Sequence, residues 1–180
     1  MTTEEQFRAV MSECRDVFAS KLHDYGAAWR ILRIPSLTDQ LYIKANRIRS
    51  LELKRESMVG EGIRPEFIAI VNYAIVGLIQ LEYGFAEKPD DMTAEQALAA
   101  YDKHAEESLQ LMLRKNHDYD EAWRGMRVSS YTDLILQKIF RTKQIEELDG
   151  ATWSSEGIDA NYADMMNYAV FGLIKLTTWS

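Results

Sequence analysis

The chain has 180 residues, 47% of them hydrophobic, which is enough to bury a sizeable core. A formal net charge of −7 argues against nonspecific nucleic-acid binding, because that requires a basic face to displace counterions from phosphates. The single cysteine, Cys14, excludes an internal disulfide framework. No basic-then-apolar leader opens the chain, and the longest apolar run, residues 67–81, is shorter than the ~20 residues that span a bilayer. We therefore expect a cytoplasmic protein without membrane contact.

Three helices are predicted in the first half of the chain. A capping box at Thr3–Gln6 starts the first helix, which ends near Gly26, since glycine permits the backbone turn of a helix end. Ser36 and the residues after it predict the start of the second helix. A loop over residues 60–64 precedes Pro65, which is placed in the first turn of a third helix. That helix is apolar nearly all round, so we expect it to be buried at the centre.

The second half of the chain repeats the first. His23–Arg30 returns 94 residues later as His117–Arg124, and the Asn-Tyr-Ala sequence at Asn72 returns 95 residues later at Asn167. Chance does not produce such a register, so the chain is a tandem duplication. The predicted fold class is all-α, with two tandem three-helix repeats packed as a pseudo-two-fold helical bundle. The repeats comprise residues 1–86 and 93–180, the linker comprises residues 87–92, and we expect them to form one compact domain.

A lysine lies on the apolar stripe of each second helix. Lys44 and its counterpart Lys138 face the predicted core, where an unpaired ammonium group is costly. Arg47 and Arg141 follow three residues later on the same helix face. Each lysine–arginine pair therefore either forms ion pairs with carboxylates or binds phosphate. Periodicity alone favours the ion pairs, with these carboxylates and their counterparts as expected partners: Asp24 and Asp39.

The His-Asp-Tyr block at the end of each first helix is a further candidate site. Its aspartate is a candidate helix cap, acceptor for the stripe lysine, or metal ligand. Its tyrosine lies four residues before a tryptophan, so the two rings would share one face if the segment were helical, as a core anchor or as a platform for a base. An arginine after each tryptophan adds positive charge. These residues are His23, Asp24, Tyr25, Trp29 and Arg30 in the first repeat, and His117, Asp118, Tyr119, Trp123 and Arg124 in the second.

The third helices differ between the repeats. Asp164 lies on an otherwise apolar helix, where carboxylates are rare, and its counterpart in the first repeat is Ala69. Asn72 and Asn167 occupy matching positions, and we expect them to form hydrogen bonds between the repeats. If the chain has a metal site, Asp164 together with Glu156 assigns it to the second repeat.

These motifs resemble those of the nucleotide modification associated domain type 1 family, a domain of unknown function. The resemblance rests on the pattern Lys-x-His-Asp-Tyr-x-x-Ala-Trp, which begins at Lys21 and again at Lys115. It also rests on the two Lys-x-x-Arg pairs and on Glu-Gly-Ile followed by Asn-Tyr-Ala. It covers nearly the whole chain as a tandem duplication.

The family is distantly similar to MazG-like all-α nucleoside triphosphate pyrophosphatases, which act as dimers and hold Mg²⁺ with glutamates and a closing aspartate on two helices. This similarity implies a homodimer, and Mg²⁺ bound by Asp164, Glu156 and Glu146. The Glu-x-x-Glu pair typical of that class is absent from the second helices.

Two functions are compatible with these patterns. In the first, the protein binds a nucleotide and acts as a metal-dependent nucleotide (pyro)phosphohydrolase; Lys138, Arg141 and Arg124 hold the phosphates, and Trp123 or Tyr119 stacks on the base. In the second, it is a non-catalytic helical interaction or assembly module in which Lys–Asp ion pairs fix the packing. The two differ in whether the stripe lysines are saturated by carboxylates or point into an open cleft.

Overall fold

The computed structural model describes residues 1–54, 59–149 and 157–179. Their α-helices are α1 (Thr3–Tyr25), α2 (Ile34–Lys54), α3 (Val59–Tyr83), α4 (Ala94–Tyr119), α5 (Val128–Glu147) and α6 (Ile158–Leu176). A first 3₁₀ turn follows α1 at Ala28–Ile31, and a second 3₁₀ turn follows α4 at Ala122–Gly125. No strand occurs among the described residues, and the prediction of an all-α bundle is confirmed.

Capping boxes start the first helix of each repeat. At α1 the cap is Thr2, whose hydroxyl accepts a hydrogen bond from the Glu5 amide at 3.2 Å, while the Glu5 carboxylate accepts one from the Thr2 amide at 2.7 Å. The predicted box at Thr3 was therefore one residue too late, and Thr3 is the first helical residue. Thr93 and Gln96 form the equivalent box at α4.

Two predicted helix starts were too late, and each lies beside a proline. The second helix begins at Ile34 rather than near Ser36, with Pro35 in its first turn, where the missing N–H has no intrahelical acceptor to lose. The third helix begins at Val59, so the predicted loop over residues 60–64 is helical and Pro65 lies inside α3. Burial of the apolar face on either side of Pro65 offsets the one backbone hydrogen bond that proline cannot donate.

The two apolar third helices pack against each other at the centre of the bundle. Helix α2 packs on α3, α5 packs on α6, and α2 and α5 contact each other. Within the described residues, one segment, Gly62–Tyr83, has the length and composition of a membrane span, although 61% of its most apolar window is buried inside the bundle. Such burial is what the core helix of a compact bundle shows.

Equivalent contacts on the two sides of the bundle define the pseudo-two-fold relation. The Thr38 hydroxyl on α2 donates to the Glu146 carboxylate on α5 at 2.7 Å. The equivalent Thr132 hydroxyl on α5 donates to the Glu52 carboxylate on α2 at 3.1 Å. These reciprocal hydrogen bonds join the second helices, so each repeat satisfies a polar group of the other.

Candidate functional site

A buried carboxylate binds two lysines in the second repeat. Asp164 on α6 is 9% exposed. Its Oδ2 lies 2.9 Å from Nζ of Lys138 on α5, and its Oδ1 accepts a hydrogen bond of 3.1 Å from Nζ of Lys115 on α4. The Lys138 side chain is mostly buried, whereas that of Lys115 is half exposed. One carboxylate therefore connects three helices.

The first repeat has a related cluster with a different geometry. Glu66 on α3 lies 3.5 Å from Nζ of Lys44 and 3.2 Å from Nε of Arg47. Glu66 is the counterpart of Asn161, and Ala69 is the counterpart of Asp164. The carboxylate of the first repeat therefore lies three positions, almost one helical turn, before the position equivalent to Asp164.

Both stripe lysines are paired with carboxylates, which agrees with the ion-pair interpretation, but the expected partners were wrong. The third helices pack directly on the second helices and present Glu66 and Asp164 to the lysines. Asp24 lies at the exposed end of α1, and the Asp39 carboxylate lies 3.6 Å from Nζ of Lys143 instead.

A cavity of about 330 Å³ adjoins the Asp164 cluster, and we call it the second-repeat cavity. It lies between the end of α4, the second 3₁₀ turn, α5 and α6. Its volume falls at the lower end of the range for small-molecule sites, roughly 300–1,000 Å³. It is lined by Met112, Lys115, Asn116, Tyr119, Ala122, Trp123, Met126, Leu134, Asp164, Asn167, Tyr168 and Phe171.

Three residues that line this cavity carry buried polar atoms without a hydrogen-bond partner in the part of the chain that the structure describes. They are Oδ1 of Asn116, Oδ1 of Asn167 and Nε1 of Trp123. An unsatisfied buried polar atom costs about 1–3 kcal/mol, so three of them on residues that line one cavity make this cavity the candidate binding site. Two of these atoms are acceptors and one is a donor.

The two equivalent asparagines have different partners. In the first repeat, Asn72 donates to the Cys14 carbonyl at 3.1 Å and accepts from the Tyr101 hydroxyl at 2.7 Å, so the predicted hydrogen bond between repeats is confirmed there. In the second, Asn167 donates to the Ser108 carbonyl of its own repeat at 3.4 Å. The counterpart of Tyr101 is Phe7, which has no hydroxyl to offer.

The ring of Trp123 is covered by its neighbours. Phe171 stacks on it with ring centres 4.4 Å apart and planes 11° apart, and the Arg124 guanidinium lies 4.5 Å from the ring centre. The Tyr131 hydroxyl donates to the Trp123 carbonyl. These contacts favour the core anchor over the base platform that the sequence left as the alternative.

The arginines that follow the tryptophans form intramolecular contacts. Arg30 is 4% exposed and bonds the Asp91 carboxylate at 3.1 Å, the Gly84 carbonyl at 2.6 Å and the Gln80 amide oxygen. Arg124 donates to Thr3 at 2.8 Å and to Gln6 at 2.7 Å, which docks the second 3₁₀ turn on the start of α1. The structure therefore gives both side chains a structural role.

The His-Asp-Tyr blocks lie on the surface. The Tyr25 and Tyr119 side chains are 77% and 72% exposed, and the His23 ring lies 3.1 Å from the Asp24 carboxylate with both groups exposed. Tyr25 does not stack on Trp29, because Gly26, with φ of 65°, ends the helix between them. The ring that contacts Trp29 is Phe18, at 6.0 Å. His117 and Asp118 are likewise exposed, as is Arg141 on α5.

The third helix of each repeat holds the 3₁₀ turn through a residue that sequence reasoning missed. The Gln80 amide donates to the carbonyls of Arg30 at 2.8 Å and Leu32 at 2.7 Å. Its counterpart Lys175 donates to the carbonyls of Arg124, at 2.8 Å, and Met126. The recurrence of a long donor at one repeat position is the signal that could have revealed this role.

Asp164 and Glu146, two of the three predicted Mg²⁺ ligands, already have partners in the described part of the chain. Both oxygens of Asp164 are occupied by ammonium groups, and Glu146 accepts from Thr38 on the opposite repeat. No group of three metal-ligating side chains occurs among the described residues, and Glu156 lies outside them. The metal site therefore stays a prediction.

These features define an all-α repeat protein with a lysine–carboxylate cluster between the second and third helices of each repeat. The chain belongs to the nucleotide modification associated domain 1 family, whose sequence pattern matches residues 21–81 and again residues 115–176. The two matches fall in the two repeats, so the family resemblance is confirmed. No curated protein and no solved structure matches the chain. The distant similarity to MazG-like enzymes is not shown by these comparisons and stays a prediction.

Proposed function

We propose that this protein binds a nucleotide, with the base in the second-repeat cavity. The observation that carries the proposal is the set of unpartnered polar atoms on Asn116, Asn167 and Trp123. A nucleobase edge presents both donors and acceptors, which is what two carbonyl oxygens and one N–H need. The family description, which refers to nucleotide modification, supports the same ligand class.

The phosphate group is assigned to Lys115. Its ammonium group is half exposed at the cavity and shares Asp164 with Lys138. Lys115 is therefore able to turn towards a phosphate while Asp164 keeps its buried partner, so binding strands no charge. Arg124, which the sequence suggested for this role, is already bonded to Thr3 and Gln6.

The proposal concerns binding, and hydrolysis is not part of it. Metal-dependent (pyro)phosphohydrolysis of the MazG-like kind, Mg²⁺, a homodimer and a cytoplasmic location stay predictions. The compact helical bundle with a mostly buried apolar helix agrees with a protein that works in water.

The test is a thermal-shift panel of nucleosides and their mono-, di- and triphosphates, with and without Mg²⁺. A ligand at a hundred times its dissociation constant stabilises the folded state by about 2.7 kcal/mol, which melting resolves. Asn116→Leu gives the cavity the residue of the first repeat, Leu22, and is expected to remove the shift for nucleosides and nucleotides alike. Lys115→Met is expected to weaken only the phosphorylated ligands, with Lys21→Met as the matched control.

Two results would contradict the proposal. One is a flat panel with the folded wild-type protein, and the other is a nucleotide shift that Asn116→Leu leaves unchanged. A thermal shift that requires Mg²⁺ would favour the predicted metal site, which includes Glu156 outside the described residues.

A non-catalytic assembly module is the second candidate. The paired stripe lysines favour it, as do the exposed side chains of Ile43 on α2 and Phe140 on α5, which are 52% and 50% exposed. Sedimentation equilibrium decides whether two chains associate, and a monomer at tens of micromolar would count against self-assembly.

A further inference from the structure

A larger cavity of about 650 Å³ lies in the first repeat, between α1, the first 3₁₀ turn and α3, and we call it the first-repeat cavity. It occupies the place in the first repeat that the second-repeat cavity occupies in the second. Lys21, Trp29 and Asn72 line it, and their counterparts Lys115, Trp123 and Asn167 line the other. Duplication has therefore produced two cavities of one origin.

The polar atoms of the first-repeat cavity are already satisfied. Asn72 is bonded at both ends of its amide, to Cys14 and to Tyr101. Leu22 stands where the second repeat has Asn116. None of the residues that line this cavity carries an unpartnered buried polar atom within the described part of the chain. The body of a ligand here must therefore be apolar.

The charges around the first-repeat cavity do not cancel. Its lining contains the carboxylate of Glu13 and the cations of Arg64 and Lys21. Arg64 binds Glu13 with two nitrogens, one of them at 3.0 Å, and donates to the Thr177 hydroxyl at 3.1 Å. Lys21 has no ion-pair partner among the described residues, because Ala69 stands where the second repeat has Asp164. One positive charge is left beside an apolar cavity.

We propose that the first-repeat cavity binds an apolar organic anion, a small carboxylate with an aliphatic or aromatic body. The body packs among Phe18, Trp29 and Ile68, and the carboxylate pairs with the Lys21 ammonium group. Because Ala69 stands where the second repeat has Asp164, both the space and the charge of Lys21 are left for this ligand. The two repeats then serve different ligands, and this proposal does not depend on the nucleotide site.

Calorimetric titration with octanoate and with 1-octanol separates the contribution of the ligand's negative charge from that of its apolar chain. The wild-type protein is expected to bind octanoate at least tenfold more tightly than octanol. Lys21→Met is expected to abolish that preference, because one charge-assisted bond accounts for about a tenfold difference. Ala69→Asp restores the carboxylate of the second repeat beside Lys21 and is expected to have the same effect. Lys88→Met, which removes the same charge from the linker, is the control.

Ile68→Trp locates the binding, since it fills the cavity and is expected to weaken both probes. Circular dichroism melts check that each variant folds, and Lys21→Met changes only an exposed side chain. The proposal is overturned by the absence of octanoate binding at millimolar concentration, by equal affinity for the two probes, or by octanoate affinity that survives both Lys21→Met and Ile68→Trp. The nucleotide panel tests the second-repeat cavity, whereas octanoate tests the first-repeat cavity. Failure of one proposal therefore leaves the other intact.

Discussion

At the scale of single residues, Asp164 decides how two lysines are accommodated in an acidic bundle. The buried Lys138 ammonium needs a carboxylate, since desolvation without a partner costs several kcal/mol. Lys115 reaches the same carboxylate from the surface, where its own hydration is largely kept. Lys138 is therefore a structural partner of Asp164, and Lys115 is the cation that a ligand is able to engage.

The Asp164 cluster gives a stability prediction. Asp164→Asn removes the charge but keeps the shape, and we expect the free energy of unfolding to fall by about 2 kcal/mol, as urea denaturation measures it. This is less than the 3–5 kcal/mol for a fully buried pair, because Lys115 is half exposed. Asp133→Asn is the control, since its carboxylate lies 3.8 Å from Arg49 with both side chains half exposed or more, and should change stability by less than about 0.5 kcal/mol.

Lys138→Met supplies the second arm of this experiment. It removes the buried ammonium group whose ion pair with Asp164 is lost in Asp164→Asn, so the double variant should recover part of the lost stability. Additive losses in the two single variants would show that Asp164 and Lys138 do not interact as described.

How much of the site could be predicted from the sequence depends on the distance over which its residues interact. The burial of Asp164 could be predicted, because a carboxylate on an apolar helix is visible in the pattern. Its partner Lys115 could not be paired with it, since the two are 49 positions apart and on different helices. The role of Trp123 depended on which rings cover it, and only the packing of Phe171 and Arg124 decides that.

At the scale of elements, the segment after each first helix shows why sequence rules for helix ends did not predict both ends equally well. Gly26 correctly marked the end of α1, yet the second repeat ends α4 with Asp120 in the left-handed region, φ 51°, and Glu121 at φ 56°. Non-glycine residues at positive φ cost energy that other contacts must offset. Lys175, whose ammonium group binds the carbonyls of the turn that follows, provides one such contact.

The contact between α2 and α5 predicts how stability depends on pH. Burial raises the pKa of Glu52 and of Glu146 above the ordinary value, although the hydrogen bonds from Thr132 and Thr38 act in the opposite direction. A raised pKa means that the folded state binds the proton more tightly, so this contribution is present at low pH and is lost as pH rises through the folded pKa. Glu146→Gln should therefore melt higher than wild type at pH 8, with the difference closing towards pH 4.

The measurement is a series of thermal melts between pH 4 and pH 8. Glu52→Gln, at the equivalent position, should give the same trend. Glu147→Gln removes one charge from the exposed neighbour and controls for net charge. A pH trend as large in Glu147→Gln as in Glu146→Gln would assign the effect to overall charge and not to burial.

At the scale of the whole molecule, the two repeats pack most closely where a glycine on α3 and a glycine on α6 each face an aromatic ring of the other helix. A Cβ atom at Gly77 on α3 would lie 2.6 Å from Cδ2 of Tyr162, and one at Gly172 on α6 would lie 3.2 Å from Cζ of Phe67. Each glycine and each ring are counterparts in the duplication, so the helices cross through reciprocal contacts of one kind. The absence of side chains at these glycines is what lets the apolar helices approach closely, which pattern analysis of separate helices does not show.

This crossing predicts that one methyl group destabilises the whole bundle. Gly77→Ala should lower the free energy of unfolding by about 2 kcal/mol or more, because Tyr162 is fully buried and its hydroxyl is bonded to Thr38, so the ring has no room to move. Gly172→Ala meets Phe67 at a longer distance and should cost less. Gly62→Ala on the same helix meets only Leu51, at 3.7 Å, and should gain up to about 1 kcal/mol from helix propensity.

The same variant tests whether the repeats form one domain, as the sequence predicted. If α3 and α6 share one core, far-ultraviolet circular dichroism and tryptophan fluorescence should report a single coincident transition, and Gly77→Ala should shift both signals together. Two separated transitions, with only one moved by the substitution, would mean that each repeat unfolds on its own. A Gly77→Ala protein as stable as Gly62→Ala would show that Tyr162 yields, and that the close crossing does not limit how the repeats pack.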